Sequence, residues 1–343
     1  MKNDQSIKTN SRRDFIKKVA LTSTIAMFGF GGIFKIANAR TLFSNPEDFE
    51  YKYRTVSVKH ITELQEWIER LKKEGKLSDN ETYRSYIEFE YDAEKVIPNA
   101  KSIIIMSIPQ RIEKLICHKG NQQYEILIPT GYLSDGISTE MLDQRIQTDI
   151  IKDPSKKHAW SGLPLKTLAV RSGLAKYGKN NISYVDEYGS NHQLLGYYTD
   201  QEFYDNWGPL KLLRECKGCS ICIKECPNDC FSDDNFVIDV GKCVTLYNET
   251  LDDIPEWMDS KLHHTLVGCL KCQWDCPANK ESIQQIDILA ELTNEETEFM
   301  LSDRIDEDMH ELLIEKLKRF PSAKNMNYFR RNFKLAMHGI MNS

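Results

Sequence analysis

The chain has 343 residues, 41% hydrophobic and 10% aromatic, which is enough to bury a sizeable core and excludes a disordered protein. The formal net charge of −6 gives no basic surface of the kind that neutralises phosphates, so we expect no nucleic acid as a partner. Ten cysteines are too few for a disulfide-dense scaffold of this length.

Residues 1–39 have the pattern of a twin-arginine signal peptide. The stretch Ser11 to Lys17 (SRRDFIK) carries the paired arginines, an apolar run follows from Val19 to Phe30, and Ala39 ends a small-residue cleavage site. The apolar run is too short to span a bilayer, although an uncleaved anchor or a buried core helix is an alternative. We therefore expect export through the twin-arginine translocon, to the periplasm or to the outer face of the cytoplasmic membrane.

The next part of the chain alternates between helical and strand patterns. Apolar residues recur at helical spacing from Thr55 to Lys73 and again from Leu163 to Ser172. Strands are predicted at Ser102–Ile108, Tyr124–Ile128 and Leu194–Thr199. This alternation predicts the α+β class, with an α/β front domain over residues 45–208.

Eight of the ten cysteines form two related runs. The first run has the spacing C-x2-C-x2-C-x3-C followed by proline, and comprises Cys216, Cys219, Cys222 and Cys226. The second is stretched and comprises Cys243, Cys269, Cys272 and Cys276, again with a proline after the last cysteine. Such runs bind [4Fe–4S] clusters in bacterial ferredoxins, where the last cysteine of a run ligates the other cluster.

The spacing therefore predicts a ferredoxin-like domain with two [4Fe–4S] clusters at residues 209–285. The first cluster is assigned to Cys216, Cys219, Cys222 and Cys276, and the second to Cys226, Cys243, Cys269 and Cys272. Structural zinc and disulfides are the alternatives, but neither needs the three-cysteine run with its trailing proline. Cys117 and Cys230 are left over as ordinary thiols.

Residues 286–343 are predicted to form a short helical tail. Its helices are expected at Ile288–Met300, Met309–Phe320 and Tyr328–Met337, and their charged faces are typical of solvated surface.

Several stretches resemble the epoxyqueuosine reductases and, more loosely, the reductive dehalogenases. The first runs from Leu168 to Asn181 (LAVRSGLAKYGKNN), and Tyr188-Gly189-Ser190 and Thr199-Asp200 follow it. The isolated Cys243, the Ile254-Pro255 spacer ahead of Gly268-Cys269, and Phe329 to Phe333 (FRRNF) extend the likeness over roughly residues 95–335. Both families are two-cluster, corrinoid-dependent reductases. The resemblance implies an α/β front domain, for which a nitroreductase-like fold is one possibility.

The resemblance implies a cobalamin held near the turn Gly178, Lys179, Asn180 and Asn181, where glycine would allow close approach of the backbone. The alternative for this turn is a helix end that packs on the cluster domain.

A proton donor is also implied. An ungapped count places Ala159 where epoxyqueuosine reductases have an acid, so that specific activity is in doubt. Four other side chains nearby can donate a proton, namely Tyr132, His158, Tyr177 and His192.

These observations predict an exported iron–sulfur oxidoreductase, similar to the dehalogenases or epoxyqueuosine reductases, that passes electrons through two clusters to a corrinoid and a small-molecule substrate. An unidentified electron donor would reduce it. The alternative is a non-catalytic, ferredoxin-like electron-transfer protein whose front domain docks a redox partner.

Overall fold

The computed structural model describes residues 49–134, 136–231, 237–251, 253–284 and 286–342. The signal peptide predicted at residues 1–39 lies outside these described residues. Across the described ranges, the helices are all too short or too polar to cross a membrane.

The strands of the described residues are β1 (Lys52–Ser57), β2 (Ser102–Pro109), β3 (Ile112–Lys119), β4 (Gln122–Ile128), β5 (His158–Trp160), β6 (Lys176–Tyr177), β7 (Ser183–Tyr184), β8 (His192–Thr199) and β9 (Ile286–Leu292). The helices are α1 (Ile61–Lys73), α2 (Glu81–Tyr86), α3 (Ala93–Val96), α4 (Thr139–Arg145), α5 (Leu165–Arg171), α6 (Ile221–Lys224), α7 (Val244–Glu249), α8 (Lys271–Trp274), α9 (Asn294–Leu301), α10 (Glu307–Lys316) and α11 (Met326–Met341). A π-helical turn, Ile146–Ile151, continues α4.

The front of the molecule is built on an antiparallel sheet with strand order β1-β2-β8-β5. Its central strand β2 is buried on both faces. Because side chains alternate along a strand, Ile103 and Ile105 enter one core and Ile104 and Met106 enter another. Helices α1 and α5 cover the first face, and the segment 139–151 covers the second. The mixed α and β architecture predicted for this region is confirmed.

Helix α5 lies close against strand β8 because Gly196 has no side chain. A Cβ atom at Gly196 would lie 2.6 Å from Leu165 Cδ2 and 2.5 Å from Ser161 Oγ. This approach fixes the helix that carries Lys166.

A second sheet joins the front of the chain to its end. Strands β3 and β4 form an antiparallel hairpin, and β9 pairs with β3 in parallel. The helix predicted from Ile288 is therefore wrong over β9, since these backbone groups bond to β3. Helix α9 begins only after Thr293, whose side chain and that of Glu296 form a reciprocal capping box.

The helix predicted from Thr55 also begins late. Residues 52–57 form β1 and pair with β2, and α1 starts at Ile61 after the 3-10 turn Val58–His60. By contrast, α10 and α11 lie where helices were predicted, and they pack on β3 and β4 in a shared core.

Candidate iron–sulfur and substrate site

The first set of cysteines meets at a small cavity. Short turns carry them: Cys216 ends a 3-10 turn, Gly218 has a φ of +74° between Cys216 and Cys219, and Cys222 lies in α6. Cys222 interacts electrostatically with Cys216, Cys219 and Cys276, and all four line this cavity. Four thiolates around one cavity fit a cubane, which needs one cysteine for each iron.

The turn after β6 contacts this first set. The backbone amide of Lys179 donates to Cys216 Sγ at 3.4 Å, and Lys179 Nζ donates to the Cys219 carbonyl at 2.7 Å. Asn180 Nδ2 donates to Tyr184 Oη at 2.8 Å and to the Cys272 carbonyl at 2.9 Å. An amide donated to a cysteine sulfur stabilises negative charge there, so the turn can tune the first cluster.

The second set surrounds a neighbouring space. Cys272 interacts electrostatically with Cys269, Cys243 and Cys226. It also interacts with Cys222 of the first set. The two sets are therefore adjacent, an arrangement that suits transfer of single electrons between two clusters.

Cys230, expected to be an ordinary thiol, lies beside the second set. Its side chain hydrogen-bonds to Cys226 and Cys243, and its backbone amide donates to Cys226 Sγ at 3.4 Å. Cys117 lies in the core between β3 and the terminal helices, and burial raises its pKa to about 12. Only the first of these two thiols is placed to influence a cluster.

A cavity of about 200 Å³ opens beside the second set. Apolar side chains of α1 and of the segment 77–89 form one wall, including Leu71, Tyr86 and Phe89. The four second-set cysteines also line it, together with the polar residues Lys166 and Glu249. The cavity therefore includes the space that the second cluster would occupy and extends from it to the apolar side chains of α1.

Glu249 and Lys166 are the charged side chains of interest at this cavity. Glu249 ends α7, is 5% exposed, and accepts a hydrogen bond from Tyr132 Oη. Burial raises the pKa of Glu249 to about 8, and the charge of Cys243 adds to the rise. Burial likewise lowers the pKa of Lys166, whose Nζ donates to the Asn181 carbonyl at 3.3 Å.

The four predicted proton donors do not meet at one point. Tyr177 lines the cavity and its hydroxyl lies 3.0 Å from Thr167 Oγ1, while burial raises its pKa to about 12. Tyr132 reaches the cavity only through Glu249. His158 pairs with Asp143 at 3.1 Å. His192 lies 3.2 Å from Ser183 Oγ, and burial lowers its pKa to about 4, so it is neutral at physiological pH.

The turn predicted to hold the corrinoid, residues 178–181, packs against other residues of the protein at Gly178. A Cβ at Gly178 would collide with Asn180 Oδ1 and lie 2.7 Å from Tyr184 Cε2. Lys179 and Asn180 donate hydrogen bonds to the cysteine loops. Of the four turn residues, only Asn180 and Asn181 line the larger cavity. This geometry favours the alternative interpretation, a turn that packs on the cluster domain, and does not fit a corrinoid lying on Gly178.

Sequence reasoning did not select Glu249 or Lys166. Ala159, where an acid was sought, lies in β5 opposite Tyr198 and supplies none. A usable signal was present, since Glu249 is the first charged residue after the cluster cysteine Cys243, which lies six residues before it.

Comparison with known families and curated proteins agrees with the cysteine pattern. Residues 215–279 match the family model described as a 4Fe-4S double cluster binding domain, which favours iron–sulfur clusters over the zinc alternative. The chain is 34% identical over 116 residues to an epoxyqueuosine reductase of Cyclobacterium marinum, covering 33% of this chain and 36% of that protein. It is 30% identical over 118 residues to the epoxyqueuosine reductase of Listeria monocytogenes, covering 33% and 29%. These matches span about a third of the length of the curated relatives.

Solved structures show the same fold over most of the chain. An epoxyqueuosine reductase from Bacillus subtilis superposes with a TM-score of 0.59 at 19% identity, covering 85% of this chain and 78% of that one. An epoxyqueuosine reductase solved with an epoxyqueuosine-modified tRNA stem loop gives a TM-score of 0.60 at 18% identity, covering 87% and 79%.

Two predictions are corrected by these comparisons. The exclusion of nucleic acid is wrong, because a protein of the same fold holds a tRNA stem loop. Net charge is a sum over the whole surface and does not exclude a local nucleic-acid site. The prediction of export, with the translocon as partner and the periplasm or the outer face of the cytoplasmic membrane as location, is contradicted by the same comparisons, since the relatives are epoxyqueuosine reductases and tRNA is a molecule of the cytoplasm.

The family model matches the cysteine-rich segment, residues 215–279, whereas the structural likeness covers 85–87% of the chain. The chain therefore carries a 4Fe-4S double cluster binding domain within the mixed α and β fold of the epoxyqueuosine reductases.

Proposed function

We propose that this protein is an iron–sulfur reductase that passes single electrons through two [4Fe–4S] clusters to an acceptor in the cavity beside the second cysteine set. The observation that carries the proposal is the shared wall: the four cysteines of the second set line the cavity, and the first set is adjacent through Cys222 and Cys272. The clusters would supply one-electron reduction at low potential. A one-electron carrier protein would reduce them.

The chain's own residues would prepare the cavity for this chemistry. Apolar walls exclude water, which strengthens the electrostatic interactions inside. Lys166 places a positive charge near Cys243 and Cys272, where reduction of a cluster adds negative charge. Asn180 holds the Cys272 loop through its carbonyl. As part of this proposal, the front domain is nitroreductase-like and the cluster domain is ferredoxin-like.

We propose an epoxide-bearing modified nucleoside in tRNA as the substrate, because the relatives are epoxyqueuosine reductases and one protein of the same fold holds an epoxyqueuosine-modified stem loop.

Anaerobically purified protein, given a one-electron donor, should convert an epoxyqueuosine-modified tRNA stem loop into a product lighter by one oxygen atom. Mass spectrometry of the digested RNA measures this loss. Omitting the electron donor provides the control and should leave the nucleoside intact. Clusters that exchange electrons with a redox dye while the nucleoside stays unchanged would favour the alternative, an electron-transfer protein.

The corrinoid implied by the resemblance is a separate part of the proposal. When bound, it would supply a low-valent cobalt nucleophile. The Gly178 turn is closed to it, so the apolar cavity wall and Asn181 would have to hold it.

We expect cobalamin added to the two-cluster protein to give a base-off spectrum, and Leu71→Trp to weaken binding because the new ring fills the cavity. Leu212→Trp is the matched control, since Leu212 is 54% exposed and does not line the cavity. Absence of binding with both clusters intact, or equal binding by the two variants, would argue against a corrinoid in this cavity.

A further inference from the structure

A positive stretch of chain carries most of the first cysteine set. Residues 211–225 contain four basic residues and two acidic ones, although the whole chain has a net charge of −6. The basic residues are Lys211, Arg214, Lys217 and Lys224, and all four are exposed. The stretch is therefore locally positive on a protein that is negative as a whole.

These four cations are not used to neutralise acids of the protein. Within the part of the chain that the structure describes, none of them forms an ion pair. Elsewhere basic side chains do pair, as Lys316 does with Glu296 and Arg319 with Glu113. Exposed cations without an acidic neighbour leave their field free to act on an approaching molecule.

The start of the stretch is held in one place. The Tyr177 amide donates to the Lys211 carbonyl at 2.8 Å, and the Leu213 amide donates to the Tyr177 carbonyl at 2.9 Å. Because successive side chains of an extended segment point in opposite directions, Leu213 is buried at 8% exposure and Leu212 faces outward at 54%. The backbone contacts thus present one apolar side chain among the cations.

The loop between Cys216 and Cys219 is open to a partner. Gly218 lies at its middle, and a Cβ atom there would meet nothing within 4 Å. Cys216, Cys219 and Cys222 are all partly exposed. A docked protein can therefore approach the first cysteine set closely, which shortens the path of an electron.

The first set lies away from the large cavity. That cavity is lined by the four second-set cysteines and by none of the first set. None of the four basic residues lines it either. If an acceptor occupies this cavity, the first cluster is the farther one from it, and electrons from outside enter there.

We propose that residues 211–225 form the docking surface for the electron donor, and that this donor is a small acidic protein that carries one electron at a time. The proposal rests on the proposed function and adds to it the partner and its binding surface. The carrier loses one electron and the first cluster gains it. No bond forms or breaks in this step, and no proton moves.

Charge complementarity gives the surface its role. A [4Fe–4S] cluster with four thiolate ligands carries net negative charge, and reduction adds more, so it repels an acidic carrier. The four cations offset that repulsion and raise the rate of encounter, as opposite charges do across other protein interfaces. Leu212 adds an apolar contact at the centre of the docked surface.

Reversal of two charges tests the proposal. The double variant Lys211→Glu with Arg214→Glu should accept electrons from reduced flavodoxin, used as the acidic carrier, about tenfold more slowly at low salt. Stopped-flow absorbance of the clusters measures this rate. The flavodoxin concentration for half-maximal rate should rise while the limiting rate stays the same, because the change affects the encounter and not the cluster.

The matched control carries the same change in net charge elsewhere. Lys157 and Lys324 are exposed and line neither cysteine cavity. Lys157→Glu with Lys324→Glu should therefore keep nearly the wild-type rate. Iron content and the electron paramagnetic resonance spectra of both clusters should be unchanged in both double variants. Reduced methyl viologen, a small cation, should reduce both variants without the loss of rate.

Wild-type protein provides a second test that needs no variant. Its rate with flavodoxin should fall about tenfold as salt rises from roughly 20 to roughly 300 mM, because ions screen exposed charges over this range.

Equal flavodoxin rates for the two double variants, or a wild-type rate independent of salt, would overturn the proposal and leave the proposed function standing. A normal flavodoxin rate with weaker binding of the tRNA stem loop would also overturn it, since the stretch would then be an RNA site. Failure of the protein to change the modified nucleoside after methyl viologen has reduced both clusters would instead overturn the proposed function.

Discussion

Replacing Cys226 with alanine should remove the second cluster and spare the first, whereas Cys222→Ala should remove the first and spare the second. The two residues are close in sequence, but Cys226 faces Cys269 and Cys272, and Cys222 faces Cys216 and Cys276. Each variant should retain about four of about eight irons, because one missing thiolate leaves one cubane without its full ligand set.

Iron analysis and electron paramagnetic resonance of anaerobically purified protein would measure this result. Cys117→Ala is the control, since Cys117 lies in the core of the β3 hairpin, and it should retain about eight irons. Spectra in which both ligand variants lack the same cluster would contradict the division of the cysteines.

Gly339→Ala should destabilise the protein by about 3 kcal/mol, because overpacking a rigid contact has costs of this order. A Cβ at Gly339 would collide with the His263 carbonyl oxygen and lie 3.2 Å from the Lys261 carbonyl oxygen. Both are backbone atoms, so no side-chain rotation relieves the contact. The displaced loop continues into His264, which accepts from the Leu270 amide at 3.5 Å, next to the cluster cysteine Cys269.

Denaturant unfolding would measure the loss of stability, and the same variant should lose iron from the second cluster more readily on exposure to a chelator. Gly208→Ala provides the comparison. Its Cβ would lie 3.7 Å from the Arg171 carbonyl oxygen, an ordinary contact, so its stability should change by less than about 0.5 kcal/mol. Equal stability of the two variants would show that α11 and the His263 loop can separate freely.

The local sequence pattern was sufficient to predict some of the strands and helices. The apolar run at residues 103–106 predicts β2, because a strand covered on both faces has mostly apolar side chains. Helical periodicity likewise predicts α11, whose buried face includes Phe329 and Phe333. Periodicity failed where two elements share one apolar stretch, as at β1 and α1, because strand residues next to a helix extend its apparent pattern.

The sequence by itself determined the iron–sulfur character of this protein, because a run such as Cys216 to Cys226 places its ligands within one short loop and the spacing survives in the amino-acid order. Only the tertiary structure decided what faces the clusters. Strand β9 pairs with β3 across more than half the chain, Glu249 meets Tyr132 117 residues away, and Cys230 meets Cys243 through the folding of a loop. Such contacts depend on the packing of distant elements, and no local spacing records them.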